Sequence, residues 1–153
     1  MLVTEESGRL ARWLRLMGHD AATGAAEPLA ALYRRAVNEA RVIVTRNGRV
    51  QEGRLVRVIH LDRRDLAGQL RQVMRALGLT LDADRAFSRC DVCNVALQAI
   101  EKPQVKEQVP PYVFQTQDAF HACPSCRRVY WAATHHQRAS AFLKTVAEAA
   151  GHA

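Results

Sequence analysis

The sequence predicts an α/β domain with a parallel sheet, followed by a small ribbon that carries four cysteines. From residue 1 to about residue 80, short apolar runs alternate with stretches whose apolar side chains recur at helical spacing. Strands that alternate with helices are typical of parallel sheets, because a crossover between parallel strands is usually a helix. From Phe87 to about Tyr130 this alternation stops, prolines become frequent and two Cys-x-x-Cys pairs appear. We therefore expect two units of different construction.

Four short apolar runs predict the strands of the parallel sheet. They are residues 2–3, 21–23, 41–45 and 55–61. The run from Leu55 to Leu61 is the strongest strand candidate of the chain, whereas residues 21–23 form a poor one. Helical patterns separate the first three runs, which favours parallel pairing of their strands.

Three amphipathic helices are predicted between and after these strands. The first carries a stripe at helical spacing and ends at Gly18, which suits the residue that follows a helix; the stripe is Leu10, Trp13, Leu14 and Met17. The second covers residues 29–40, with Pro28 tolerated in its first turn. The third begins after Asp65, an N-cap candidate, and ends before Gly78. An Ala-rich helix over residues 139–149 follows the ribbon.

Length and composition narrow the class of protein. A chain of 153 residues suits one domain, or one small domain with an appendage. Apolar residues at 48% and charged residues at 24% exclude disorder as the dominant state. No apolar run reaches membrane-spanning length, and the acidic N-terminus does not resemble a secretory signal. We expect a cytoplasmic protein without membrane association.

The charge balance favours a polyanionic partner. The net charge is +7, and 19 of the 22 basic residues are Arg, whose guanidinium group matches phosphate oxygens in geometry. Genome base composition can also produce an excess of Arg over Lys, so the bias alone does not identify a ligand. The positive excess lies mainly before Phe87.

The cysteine spacing predicts a zinc site. Cys90 and Cys93 form one pair, Cys123 and Cys126 form the other, and 29 residues separate the two pairs. Two such pairs supply four thiolates for tetrahedral zinc. A redox dithiol or disulfides fit less well, given two pairs and no secretion signal. Because four protein ligands leave no open position, we expect a structural ion, with His121 as an exposed ribbon residue.

Several strings of residues together resemble a known family. They are Gly8-Arg-Leu-Ala-Arg-Trp-Leu-Arg-Leu-Met-Gly18, Ile43-Val-Thr-Arg46, Phe87-Ser-Arg-Cys-Asp-Val-Cys-Asn94, Val109-Pro-Pro-Tyr112 and Cys123-Pro-Ser-Cys-Arg-Arg-Val-Tyr-Trp131 with Thr134-His135. The chain resembles the Mut-seven C-terminal RNase domain family over residues 1 to about 138. The resemblance implies a PIN-like three-layer α/β/α domain over residues 1–86, a zinc ribbon over residues 87–138 and a C-terminal helix over residues 139–153. It also implies RNA as the substrate class and hydrolysis with Mg²⁺ or Mn²⁺ held by clustered carboxylates.

The acidic residues of the family are mostly missing. Thr4 stands where the family places an Asp before the helix-opening Gly8, and Asn47 stands where the family has the Asp of a Thr-Arg-Asp string. An acidic cluster before the second helix is reduced to Glu27, and the helix expected after Asn47 is shortened to residues 48–53. Since Mg²⁺ and Mn²⁺ need several oxygen ligands, these departures predict an eroded site.

Four carboxylates remain as candidates for the catalytic site. Glu5 and Glu6 follow the lost Asp position by one and two residues, and Glu27 lies roughly where the family is acidic. Asp65 is the fourth candidate, although it also suits the role of helix cap. Asn47 offers a neutral oxygen ligand.

Basic side chains with nearby aromatic rings are the candidates for RNA contact. The set is Arg9, Arg12, Arg15, Arg46, Arg127, Arg128 and His135. Rows of Arg track phosphates without reading sequence, and rings beside them suit single-stranded RNA. A row of Arg is equally well a solvated helix face, and Tyr130 and Trp131 are equally well the small core of the ribbon.

Three functions follow from these observations. The first is an RNA-associated, PIN-like protein with an eroded acidic site that binds RNA or a ribonucleoprotein with weak or no cleavage. The second is an active metal-dependent endoribonuclease that uses displaced carboxylates. The third is an adaptor whose zinc ribbon and C-terminal helix bind another protein. We favour the first, because the fold and the basic charge persist while the acidic ligands do not.

Overall fold

A four-stranded parallel sheet forms the centre of the fold. The computed structural model describes residues 1–24, 27–132 and 134–151, apart from the side chains of Glu5, Thr134 and His135. The strands are β1 (Leu2–Val3), β2 (Ala22–Thr23), β3 (Ile43–Thr45) and β4 (Val58–His60). Their order is β2-β1-β3-β4, and all neighbours are parallel. The predicted α/β class with a parallel sheet is confirmed.

Within the described ranges, five α-helices surround the sheet or belong to the ribbon. They are α1 (Gly8–Leu16), α2 (Leu29–Asn38), α3 (Leu66–Leu77), α4 (Pro111–Thr116) and α5 (Thr134–Ala150). A 3₁₀ turn over Glu5–Ser7 leads into α1, and another covers Lys102–Val105. Among the described residues no helix is long and apolar enough to cross a membrane.

The sheet separates two cores, which gives three layers. Side chains of successive strand residues point to opposite faces, so neighbours along one strand serve different cores. Val3 and Val44 pack with α1, α3 and α5 on one face. Leu2 and Ile43 pack with Leu32 of α2 on the other face. The predicted α/β/α layering is therefore present.

Helix ends confirm the local predictions. Gly18 follows α1 with a φ of +84°, a left-handed conformation that glycine adopts without a Cβ penalty. Asp65 caps α3, since its carboxylate accepts a hydrogen bond of 2.7 Å from the Gly68 N–H. Gly78 ends α3 with a φ of +62°.

The ribbon is a three-stranded antiparallel sheet with a small core. Its strands are β5 (Gln98–Ile100), β6 (Phe120–Ala122) and β7 (Val129–Tyr130), in that order. Val105, Val109 and Phe120 form its buried centre, and Trp131 packs against them. The sequence did not predict α4, because six residues that begin at a proline pair are too few to show helical periodicity.

Two other elements differ from the sequence prediction. β4 is shorter than residues 55–61, because Leu55 lies in a turn with its side chain 78% exposed. α5 begins at Thr134, before the predicted residue 139. Its residues Leu143 and Val146 are buried in the first core beside α3. The C-terminal helix thus completes the core of the α/β layers.

Candidate functional site

The four cysteine sulfurs lie together between the two turns of the ribbon. The Sγ atoms of Cys90, Cys93, Cys123 and Cys126 all fall within 4.8 Å of one another. The Sγ atoms of Cys90 and Cys126 are 3.7 Å apart. A tetrahedral ion with Zn–S bonds of about 2.3 Å would place sulfurs about 3.8 Å apart. The cluster therefore has the size of a zinc site.

The two cysteine turns have the same backbone construction. In the first, the Cys93 N–H points at Cys90 Sγ at 3.2 Å; in the second, the Cys126 N–H points at Cys123 Sγ at 3.5 Å. The residue after each pair returns a hydrogen bond to the first cysteine carbonyl, at 3.0 Å and 2.9 Å. N–H groups directed at sulfur stabilise thiolates, which is the form that metals bind.

The environment of Cys90 favours its thiolate. Burial opposes ionisation, but the Tyr130 hydroxyl, 3.0 Å from the sulfur, and the N–H groups of Cys93 and Val92 outweigh it and lower the pKa of Cys90 to about 7. The four clustered sulfurs fit a zinc ion, with each cysteine as one ligand. A site with four protein ligands is closed, so a zinc ion bound here would stabilise the ribbon rather than take part in catalysis.

The first cysteine turn is fixed to α1 by buried polar contacts. Arg15 donates hydrogen bonds of 2.9 Å to the carbonyls of Asp91 and Val92. The Asp91 carboxylate, 6% exposed, pairs with Arg12 at 2.6 Å, and its Oδ1 lies 2.8 Å from the Tyr130 hydroxyl, whose single proton it shares with Cys90 Sγ. One carboxylate therefore links α1, the first turn and β7.

A second polar cluster lies at the carboxyl edge of the sheet, where β1 and β3 end. The Glu6 carboxylate folds back over this edge, and its Oε1 accepts hydrogen bonds from the Thr45 hydroxyl at 2.9 Å and from the Arg46 N–H at 3.1 Å. The Thr4 hydroxyl also donates to Oε1. Since Thr4 occupies the lost Asp position, Glu6 brings a carboxylate back to the end of β1 from two residues further on.

The bonds to Glu6 stabilise its charged form. Partial burial opposes ionisation, but the hydrogen bonds from Thr4, Thr45 and the main chain outweigh it and hold the pKa of Glu6 below its usual value. Three donors on one oxygen leave the second oxygen of the carboxylate for solvent, a cation or a ligand.

The other carboxylate candidates have different partners. Glu27 pairs with Arg35 at 3.1 Å, and Asp65 caps α3. The side chain of Glu5 lies outside the described residues. Within the described part of the chain, the four cysteines form the one group of three or more Cys, His, Asp or Glu side chains close enough to share a metal ion. The carboxylates of Glu6, Glu27 and Asp65 therefore do not form a second group of this kind.

The Arg row of α1 divides into three environments. Arg9 is exposed, and Arg12 is 63% exposed with its Nε on Asp91. Arg15 is buried, and it donates to the carbonyl of Ala21 at 2.8 Å besides its bonds to the cysteine turn. Of these three side chains, only Arg9 and Arg12 are accessible to a ligand.

The remaining basic candidates lie on two separate surfaces. Arg46 is exposed at the carboxyl edge of the sheet, directly after β3. Arg127 and Arg128 are exposed in the second cysteine turn, next to β7. The side chain of His135 lies outside the described residues.

Sequence reasoning missed the network that joins the ribbon to α1. The sequence contained one indication of this network. Asp91 lies between two cysteines of the predicted zinc site, and a carboxylate beside thiolates needs cations nearby. Arg12 and Arg15 supply those contacts, whereas the sequence indicated only a basic row.

Fold and site together define an α/β protein whose ribbon is built around four cysteines that could hold a zinc ion. The family model of the Mut7-C RNAse domain matches residues 1–143, and the chain therefore belongs to this family of ribonuclease domains. Comparisons with curated proteins and with solved structures gave no match.

Proposed function

We propose that this Mut7-C family protein binds single-stranded RNA, free or within a ribonucleoprotein, and cleaves it weakly or not at all. The observation that carries the proposal is the carboxyl edge of the sheet. Glu6 is the carboxylate held over the ends of β1 and β3, while Arg46 lies beside it on the surface. A phosphate chain would meet guanidinium groups there rather than a cluster of acidic metal ligands.

The acidic side of this edge does not suit a catalytic metal pair. Two-metal hydrolysis requires several carboxylates around ions about 4 Å apart. Glu27 is neutralised by Arg35, and Asp65 is used as a helix cap. Among the described carboxylates, Mg²⁺ or Mn²⁺ would depend on Glu6 and on oxygens of the RNA itself, so we expect weak metal binding.

The basic side of the edge suits phosphate. Exposed Arg side chains follow β3 and β4 and stand on the first turn of α1; they are Arg9, Arg46, Arg49, Arg63 and Arg64. Within the described residues, Arg63 alone among them has a carboxylate within ion-pair distance, at 3.6 Å. Cations without carboxylate partners are available for phosphates, and such contacts bind without sequence specificity.

An active endoribonuclease with displaced carboxylates is the second candidate function. The position of Glu6 favours it, because this side chain restores a charged oxygen at the end of β1. The adaptor function is the third, and it predicts that RNA does not bind. The proposed division at residues 1–86, 87–138 and 139–153 and a reducing, cytoplasmic setting for the thiolates accompany all three.

The test measures binding and cleavage with one zinc-loaded preparation. Fluorescence anisotropy of a labelled 12-residue oligouridine should show binding that weakens with salt, by about 0.7 log units per phosphate contact for each tenfold increase in salt. Cleavage of the same RNA with Mn²⁺ should be slow or absent. Robust cleavage that Glu6→Gln abolishes would establish the second candidate, and no binding at low salt would favour the adaptor.

A further inference from the structure

A groove runs between α1 and the second cysteine turn. Its volume is about 470 Å³, and its walls include Arg12, Arg127, Arg128, Tyr130 and Trp131. Asp91 lies in its floor, but this carboxylate is buried and paired with Arg12. The positive charge that remains in the groove comes from Arg127 and Arg128, which within the described residues have no carboxylate partner.

The two cysteine turns differ at one equivalent position. Asn94 follows the first pair with a φ of +64°, and Arg127 follows the second with a φ of +61°. The Asn94 side chain accepts from the Ala21 N–H at 3.1 Å and donates to Asp20 at 2.6 Å, so it joins the ribbon to the α/β layers. The Arg127 side chain has no hydrogen-bond partner among the described residues and faces the groove. Asn94 of the first turn thus attaches the ribbon to the α/β layers, whereas the Arg127 side chain of the second turn is available to a ligand.

The backbone at Arg127 favours other residue types. Left-handed φ values suit Gly and Asn, whereas a long side chain at such a position is strained. Asn94 shows that this chain places the better suited residue in the first turn. A residue in this conformation whose side chain is exposed, and has no hydrogen-bond partner within the described part of the chain, points to a role in binding.

We propose that this groove is a nucleotide subsite, in which Arg127 and Arg128 hold consecutive phosphates and Trp131 stacks on a base of single-stranded RNA. The inference rests on the proposed RNA binding and adds a contact surface on the ribbon to the one at the carboxyl edge of the sheet. Trp131 packs one side on the ribbon core and leaves part of its ring at the groove. Paired guanidinium groups beside an aromatic plane fit a flexible, unpaired polynucleotide better than an acidic peptide, which offers no base to stack.

Because the backbone at Arg127 is strained, a substitution at this position is expected to weaken RNA binding without lowering stability. Arg127→Asn copies the residue of the first turn, so it should keep one zinc per chain and leave the melting temperature equal or higher. The same variant should bind labelled oligouridine about five- to tenfold more weakly and lose about 0.7 from the salt slope. Arg128→Asn should act in the same direction. Arg54→Asn, in an exposed turn before β4, is the matched control and should bind like the wild type.

A fluorescence titration tests the stacking arm separately. The chain has 2 tryptophans, so a Trp13→Phe variant reports Trp131 alone. Oligouridine should quench this fluorescence in the wild-type groove and to a smaller extent after Arg127→Asn.

Four other results would contradict the nucleotide subsite, the proposed RNA binding or the strain at Arg127. Full RNA affinity in Arg127→Asn and Arg128→Asn, with no quenching, would overturn the subsite while RNA binding elsewhere stands. No binding by the wild type would overturn the subsite and the proposed function together. Equal competition by polyglutamate and RNA would overturn the nucleotide subsite in favour of an acidic protein partner. A lower melting temperature for Arg127→Asn would overturn the strain argument, and the quenching experiment would then decide the subsite.

Discussion

Arg15 donates a hydrogen bond of 2.9 Å to the main-chain carbonyl of Asp91, although 76 residues separate the two in the chain. The contact joins the last turn of α1, in the α/β layers, to the first cysteine turn. Arg15 is a buried charge whose partners are mostly carbonyl groups, so its role is to hold the ribbon in place. This arrangement makes the stability of the two parts interdependent.

Replacing Arg15 should destabilise the whole chain. Arg15→Gln removes the donor from the buried carbonyls of Ala21 and Asp91 and from the partly buried carbonyl of Val92, and each unsatisfied buried group is costly. We expect the free energy of unfolding in urea to fall by about 3 kcal/mol. Arg9→Gln, at an exposed position of the same helix, should change it by less than about 0.5 kcal/mol. Equal small effects of both variants would contradict the docking role.

Zinc removal should unfold the ribbon and weaken the α/β layers. The ribbon core is small, so metal binding supplies much of its folding free energy. One zinc per chain should be released by chelation, with loss of near-ultraviolet circular dichroism and a lower melting temperature for the remainder. Cys126→Ser should give the same result, while His121→Ala should retain the metal. A chelated chain with an unchanged spectrum would contradict the site.

Restoring two carboxylates should create a site for Mn²⁺. Thr4→Asp places an anionic oxygen beside the Glu6 carboxylate, which the Thr4 hydroxyl already contacts, and Asn47→Asp adds a second carboxylate two residues after β3. Adjacent carboxylates repel one another unless a cation lies between them. Titration calorimetry should show Mn²⁺ binding to the double variant that exceeds wild-type binding by about tenfold or more. Adding Glu6→Gln should remove the gain, and a gain that survives this change would place the ion elsewhere.

Gly18 should not tolerate a side chain. A Cβ at this position would lie 2.2 Å from the Arg85 carbonyl oxygen, and φ is +84°. Gly18→Ala should therefore lower the free energy of unfolding by about 2–4 kcal/mol. Gly48→Ala is the control, because a Cβ there has no neighbour within 4 Å. Similar unfolding midpoints for the two variants would show that the close approach is relaxed in solution.

Asp20 should contribute to stability in weak acid. Hydrogen bonds from Arg41 are the main cause that holds its pKa at about 2, and partial burial opposes them. A carboxyl group whose pKa is lowered by folding stabilises the protein above its ordinary pKa of 3.8, and this contribution disappears as the pH falls towards 2. The carboxylate is 46% exposed, so screening limits the effect to about 1 kcal/mol. Asp20→Asn should lower stability at neutral pH and flatten its decline below pH 3.8, whereas Asp62→Asn should not.

The sequence was sufficient to predict the α/β/α layers and the cluster of four cysteines. Periodicity located α1 and α3, because their apolar stripes face one core, and Gly18 and Gly78 marked where they end. The Cys-x-x-Cys spacing predicted the four-sulfur cluster because it is a local backbone pattern repeated twice.

The partners of charged side chains could not be read from the sequence. Arg9, Arg12 and Arg15 form one row in the sequence, yet one is exposed, one pairs with a carboxylate and one is buried. These differences depend on contacts across more than 70 residues. Likewise, the contact between Glu6 and the end of β3 depends on the conformation of the turn before α1.

The packing of α5 makes the order of synthesis relevant to folding. Leu143 and Val146 are buried against the same core as Val3, and Arg75 donates to the carbonyl of Ala149 at 2.7 Å. The α/β layers therefore cannot close while the ribosome still holds the last turns of this helix. During translation, the apolar part of α3 that α5 covers stays exposed until the ribbon has also emerged, so the nascent chain carries an uncovered apolar surface until α5 is synthesised.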